Sequence, residues 1–357
     1  MTEEIITRCG DGQRIKMSPA QVKEDLLAGT KDAADKGVIA ELTATELKQL
    51  YEIIADQNRA VSVKRGEEIV FTDDASIIRI SEDEGAGGGM GLPLGRVPAV
   101  LVHERGFAQD SAIVQSAAVV NVMEIKAELS GEMQTYETAS LLATVPLIYM
   151  VAPALLWYYR PNGPYDNPAE LMPQGKITEA RESQEKAADH LMQDLIHIGQ
   201  RMHSVGCDCL NLDTTAAMGD SEFYGTLRAV EKLKEVAPEM AIEMGMAGEF
   251  ILGMHGQVSF KGQRLAGMFP HQQVQVAAEA GVDIFGPVVN TNSSKSFPWN
   301  LARAVTFVKE TSRVSSIPVH VNGGMGVAAV PMHPTPPIDC VSRVAKAMVQ
   351  IGKIDGL

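Results

Sequence analysis

The feature that most narrows the fold is a recurring run of helix, glycine stop and buried strand. Helix-like stretches end at Gly206-Cys207-Asp208-Cys209-Leu210-Asn211 and at Gly281-Val282-Asp283-Ile284-Phe285-Gly286, and the last segment repeats the grammar as Gly352-Lys353-Ile354-Asp355-Gly356-Leu357. Strands are expected at residues 99–104, 146–152, 208–213, 241–245, 283–290 and 318–322, with another starting at Ile354. Helices are expected at 177–205, 222–236, 272–280, 299–311 and 338–351. In the first of these, Leu191, Leu195, Ile198 and Met202 share one stripe and Gly206 is a natural C-cap. From residue 208 onward one helix separates each strand from the next, which implies parallel strands joined by right-handed crossovers. No dinucleotide fingerprint opens the first unit, so the pattern favours an α/β (β/α)8 TIM-type barrel over an open sheet. Because the text stops as a strand begins, the barrel is expected to be incomplete at its C-terminus.

Residues 1–98 read differently, as an N-terminal α+β extension packing on a barrel that occupies 99–357. Cys9-Gly10-Asp11-Gly12 between 5–8 and 14–16 signals a hairpin. Ser18-Pro19-Ala20-Gln21 is a capping box with proline at the first helical position, and Thr43-Ala44-Thr45-Glu46 opens a second helix. Residues 61–63, 68–71 and 76–80 suggest short strands, and 84–91 a glycine-rich loop.

Composition excludes some functions. With 31 basic against 45 acidic residues the net charge is −14, and no basic cluster is present, which argues against nucleic acid or an anionic membrane as partner. The apolar run 145–159 is too short to span a bilayer and contains Pro153. The N-terminus is acidic, unlike a signal peptide, and four cysteines form no secretory framework, so a cytoplasmic location is expected.

Strand parity selects the site candidates. In 241–245, Ile242 and Met244 oppose Glu243 and Gly245; in 208–213, Leu210 and Leu212 oppose Cys209, Asn211 and Asp213; in 318–322, Val319 and Val321 oppose His320 and Asn322. Barrel strands send large aliphatics out to the helices, so the polar set should face inward. Glu243 is then an acid/base or cation-stabilising candidate, with a buried salt bridge as its alternative. Asp213 is a second catalytic candidate, with a loop or capping hydrogen bond as its alternative. Asn211, Asn290, Asn292 and Asn322 could orient a substrate, and His320 could act catalytically, or each could be a satisfied structural group. The polar loop after 241–245 adds Glu249 and His255. Asp208, Asp283 and Asp355 recur at the strand entrance, where a structural role is expected.

Other motifs carry less. Asn322-Gly323-Gly324-Met325-Gly326 could cradle a phosphate, but a tight turn with no anion is the commoner explanation for such a run. Gly85-Ala86-Gly87-Gly88-Gly89-Met90-Gly91 lacks a following helix and suits a flexible loop better than a nucleotide site. Cys207 and Cys209 could pair on a metal, yet no further ligand lies at the right spacing, so core cysteines and no metal are expected. His190, His197 and His203 share one long helix, where packing or surface roles suffice.

Taken together, these strings resemble the pyrrolysine-containing dimethylamine:corrinoid protein methyltransferases. The likeness rests on His103-Glu104-Arg105, Asn211-Leu212-Asp213-Thr214-Thr215, Gly245-Met246-Ala247-Gly248-Glu249 and Gly253-Met254-His255-Gly256. It continues through Pro270-His271-Gln272-Gln273, Asn290-Thr291-Asn292, residues 299–307 and Pro336-Pro337-Ile338-Asp339. The resemblance implies methyl transfer from dimethylamine to the cobalt(I) of a cognate corrinoid protein, leaving monomethylamine, in methylamine metabolism and methanogenesis. It implies no cofactor bound directly, the corrinoid being carried by that partner, and a homo-oligomer is expected. It also puts pyrrolysine just after an Asp-Gly-aliphatic step, here Asp355-Gly356-Leu357, so the sequence reads as truncated at that residue and inactive as written. The pyrrolysine imine would capture the amine and present its methyl group. Two alternatives stand: a different barrel enzyme, such as a lyase or zinc-dependent methyltransferase, or a non-catalytic remnant that binds the corrinoid protein.

Overall fold

In a computed structural model the described residues are 4–69, 77–80, 90–93, 148–150, 155–204, 206–207, 209–253, 257–291, 294–324, 326–332 and 337–357. The strand expected at 99–104, with His103, Glu104 and Arg105, lies outside them, as do Asp208, Asn292 and His255. In chain order the elements are β1 (Ile5–Arg8), β2 (Arg14–Met17), α1 (Pro19–Gly37), α2 (Ala44–Ala55), β3 (Ile77–Ile80), β4 (Met90–Pro93) and β5 (Ile148–Met150). Then come α3 (Pro168–Leu171), α4 (Ile177–Ser204), β6 (Cys209–Thr215), α5 (Asp220–Val236), β7 (Ala241–Met246), β8 (Ser259–Phe260) and β9 (Gln263–Arg264). The series ends with α6 (Pro270–Ala280), β10 (Ile284–Gly286), α7 (Phe297–Val314) and α8 (Ile338–Ala347), the last continued by a π turn, Met348–Gly352.

The chain divides into two compact units. One is drawn from residues 116–286, the other from 1–115 and 287–357.

In the first unit, four parallel strands lie in the order β10-β7-β6-β5. Chain neighbours are therefore spatial neighbours, as serial βα crossovers require. One face of the sheet is dry: Leu210, Leu212, Ile242, Met244 and Phe285 are all at most 1% exposed. That face meets the helices. Gly199 of α4 lies so close that an added Cβ would stand 3.1 Å from Leu210 Cδ1 and 2.5 Å from Leu233 Cδ2 of α5. Burying such side chains stabilises by about 1.5–3 kcal/mol each. The opposite face carries Cys209, Asn211, Asp213, Glu243 and Gly245, the parity expected from sequence. Asp283 serves structure, as its place at a strand entrance predicts. Its carboxylate accepts from the Ile242 N–H at 2.7 Å and pairs with Lys234 at 2.7 Å.

In the second unit the β1–β2 hairpin is antiparallel, and both anticipated capping boxes form. Ser18 and Gln21 exchange bonds at the start of α1, and Thr43 and Glu46 at the start of α2. The N-terminal helices pack on the C-terminal ones: Arg303 of α7, 5% exposed, pairs with Asp32 of α1 at 2.8 Å. The last residues run parallel to 319–321. Gly356 bridges to His320, Val321 N–H donates to the Gly356 carbonyl at 3.0 Å, and Asp355 accepts from the Val319 N–H at 2.9 Å. Asp355 thus repeats the role of Asp283.

Several expectations need correction. Residues 61–63 and 68–69 are irregular, since Val61 spends its N–H on the Ser342 hydroxyl instead of a ladder. Residues 318–322 form bridges only, and the strand expected over 283–290 is confined to Ile284–Gly286. Beyond it, Val289, Asn290 and Thr291 pair with Gly326–Ala328 in an antiparallel crossing. The helix expected over 338–351 changes to π geometry at Met348. Met90 and Gly91 belong to β4, paired with β3, and not to a loop.

Arg343 of α8, 8% exposed, fastens the segment after α2. Its guanidinium donates to the carbonyls of Asp56 (2.7 Å), Asn58 (2.9 Å), Arg59 (3.3 Å) and Asp339 (2.9 Å). Lysine lacks this planar fork. Arg343→Lys is expected to cost about 1–3 kcal/mol by leaving buried carbonyls unpaired. Urea unfolding checks this, and an unchanged midpoint would contradict it.

Candidate functional site

The polar face of the four-stranded sheet brings together the acidic candidates. β6 and β7 run in register, with Cys209 opposite Ala241 and Asn211 opposite Glu243. On the other side of β7, Ile284 of β10 is opposite Glu243 and Gly286 opposite Gly245. Adjacent strands lie about 4.8 Å apart, so the backbones carrying Asn211 and Glu243 are immediate neighbours. Glu243 is 5% exposed. Its negative charge, after burial itself, helps push the Cys209 thiol up to about 12, so Cys209 stays protonated and unreactive. Cys207 donates its S–H to the Cys209 carbonyl at 2.9 Å. Among the described residues no group of three metal-ligating side chains gathers here or elsewhere.

Asp213 stands one inward position further along β6, toward the carboxyl ends of the strands. Its Oδ1 accepts from the Thr214 N–H at 2.8 Å, so the loop bond weighed from sequence is present. The same oxygen lies over Gly245, where an added Cβ would meet it at 2.6 Å. The ladder slips between Leu212 and Thr215, and Thr214 and Ala216 adopt φ values of 52° and 68°. Left-handed backbone at non-glycine residues costs of order 1–3 kcal/mol and collects at functional sites. The strain here re-aims the end of β6 around the carboxylate. Asn211 is half-buried, and its Oδ1 is buried with no hydrogen-bond partner among the described residues. Glu249, 8% exposed, follows β7 in a loop whose backbone is anchored by Gln273, which donates to the Glu249 carbonyl at 3.4 Å.

The remaining candidates belong to the other unit and are described there alone. His320 is half-buried beside Gly356, while Asn290 and Asn322 are exposed. The glycine run after Asn322 closes on itself: Val327 N–H donates to the Gly324 carbonyl at 2.9 Å and Gly326 N–H to the Val330 carbonyl at 3.1 Å. Those donors are spent on a turn, which removes the phosphate-cradle reading for them. This unit also has a cleft of about 590 Å³, lined in part by Arg8, Arg14, Arg59 and Arg343. None of the site candidates lines it, and it mixes these guanidinium groups with the carboxylates of Glu4, Asp56 and Asp339.

One residue escaped the parity argument. Glu222, in the first turn of α5, is 3% exposed and accepts from the N–H groups of Leu155 and Met218, each at 2.8 Å. Burial raises its pKa, and these backbone donors work against the rise. It supports the turn that follows Asp213. The available signal was an acidic residue in the first turn after a strand; nothing in its spacing distinguished it from a surface helix acid.

Parallel strands joined by helices, with two carboxylates and an amide oxygen that has no donor among the described residues on one face, place the candidate site in an α/β protein. The chain belongs to the dimethylamine methyltransferase family, whose model matches residues 3–357. No solved structure matches the chain. Among the described residues no helix is long and apolar enough to cross a membrane.

Proposed function

We propose that the polar face of β6 and β7 holds dimethylamine as a cation and presents one of its methyl groups to the cobalt(I) of a corrinoid carried by a partner protein. The observation that supports this most is Asp213 seated over a bare Gly245, one inward position beyond the neighbouring pair Asn211 and Glu243. An amine nitrogen leaves readily only when it bears a proton or a covalent partner. Two carboxylates in a poorly hydrated face favour that charged form electrostatically. Fixing the nitrogen also fixes the N–CH3 axis, and orientation of this kind supplies much of the acceleration of an in-line displacement. The corrinoid supplies the nucleophile, the N–C bonding pair stays on nitrogen, and monomethylamine leaves. In this reading pyrrolysine supplies an imine electrophile to the same reaction, and the residues of this face hold and orient the amine. The sequential strand order β5-β6-β7-β10 supports the accompanying proposal that the sheet is part of a (β/α)8 barrel.

The test uses methyl-cobalt formation with dimethylamine and a reduced corrinoid protein, on pyrrolysine-containing enzyme. Wild type is expected to transfer the methyl group, and Glu243→Gln to lose about 10²–10³-fold in rate, the scale of removing one charge-stabilising group. Unaltered turnover by Glu243→Gln would remove this carboxylate from the mechanism. Efficient demethylation by residues 1–357 without pyrrolysine would overturn the reading as a whole.

A further inference from the structure

We infer that Asn211 is the group that selects a secondary ammonium ion over a tertiary one, an inference that rests on the cation reading of the β6–β7 face. Its Oδ1 is buried and without a hydrogen-bond partner among the described residues. An amide oxygen withdrawn from water and given nothing in exchange is a standing cost to the fold, and native structures rarely keep one without a use. The neighbours identify that use. Asn211 is the register partner of Glu243, and Asp213 follows two residues later on the same face. The oxygen is thus a neutral acceptor set among acidic groups, and among the described residues what it lacks is a donor. An N–H borne by a cation meets both needs at once.

Counting N–H groups makes the inference specific. Dimethylammonium carries two, so one can go to a carboxylate and the other to Asn211 Oδ1. Trimethylammonium carries one, which the carboxylate takes by charge, leaving the amide oxygen orphaned as before. A site built around a buried acceptor discriminates against the analogue that cannot fill it. A purely apolar pocket could separate the two ions only by the bulk of one methyl group. Asn211 therefore acts at recognition, before any bond is broken, as a specificity residue and not as a carrier of charge.

The experiment is an equilibrium NMR titration of residues 1–357 with dimethylammonium chloride and, separately, trimethylammonium chloride, for wild type, Asn211→Leu and Glu243→Gln. Wild type should prefer dimethylammonium. Asn211→Leu should lower that preference about tenfold, the scale of one neutral hydrogen bond, while trimethylammonium binding changes little. Its melting temperature should hold or rise, because an apolar side chain of similar size replaces an unsatisfied amide. Glu243→Gln should weaken both ions together. An Asn211→Leu variant that keeps the wild-type preference, or that fails to fold, overturns the inference by showing the amide to be idle or structural. Wild type that binds neither ion overturns the cation reading of the face along with it.

Discussion

Gly245→Ala is expected to cut methyl transfer from dimethylamine about a hundredfold while changing the stability of the fold little. The added methyl group would stand 2.6 Å from Asp213 Oδ1, closer than carbon and oxygen approach without bonding. The backbone of β7 is held on both sides by β6 and β10, so the carboxylate is what must move. Any such movement also loosens its bond to the Thr214 N–H, which fixes its rotamer. A displacement of about 1 Å in a positioning group typically costs 10²-fold in rate. Stability should change little, since alanine in a strand is favoured over glycine by roughly 0.5–1 kcal/mol and a loosened hydrogen bond costs about as much. The mechanism can be isolated by a double-mutant cycle. If Gly245 acts only by making room for Asp213, then Gly245→Ala should add nothing to Asp213→Ala. Additive effects would mean that the bare glycine surface contacts the substrate directly.

Much of this arrangement was legible in the sequence, and the legible parts share a cause. Ser18, Thr43 and the apolar stripe of α4 announce their structure through contacts within a few residues, so local text suffices to read them. The alternation of Leu210, Leu212, Ile242 and Met244 with polar residues is equally local, and it fixed which face would carry Glu243 and Asp213. What escaped depends on partners distant in the chain. Nothing near Val61 states that its N–H will be taken by Ser342, so a β-rich string was read as a strand. The segment 318–322 has the composition of a strand, yet its geometry depends on 355–356, more than thirty residues away. Gly245 illustrates the same limit inside the site. Its parity with Glu243 was visible, but its purpose, leaving space for a side chain on the neighbouring strand, appears only once the register is known.

Glu222→Ala is expected to lower the unfolding free energy by about 3–5 kcal/mol, the range seen when a buried charged or hydrogen-bonded group is deleted. The carboxylate holds two separate pieces of chain, accepting from Leu155 on one side and from Met218 in the turn after β6 on the other. Alanine leaves the buried Leu155 N–H without this acceptor and frees the part-buried Met218 N–H. Glu222→Gln keeps one carbonyl oxygen for one donor but turns an NH2 group toward the other, and should cost an intermediate amount. The pH dependence has a defined sign. Because burial raises the folded pKa of this acid, the folded state holds its proton more tightly than the unfolded chain does. Its contribution is therefore fully present below the unfolded pKa of about 4.3 and is lost as pH rises through the folded value. Urea unfolding of wild type and Glu222→Gln across that window should show the gap between them widening toward low pH, as the protonated glutamate gains and the amide does not. A gap that narrows as pH falls would mean that the backbone donors outweigh desolvation, and that Glu222 is held as an anion. Either way the turn carrying Thr214 and Ala216 should loosen in Glu222→Ala, and faster amide exchange over residues 214–219 is the measurement that ties this buried acid to the placement of Asp213.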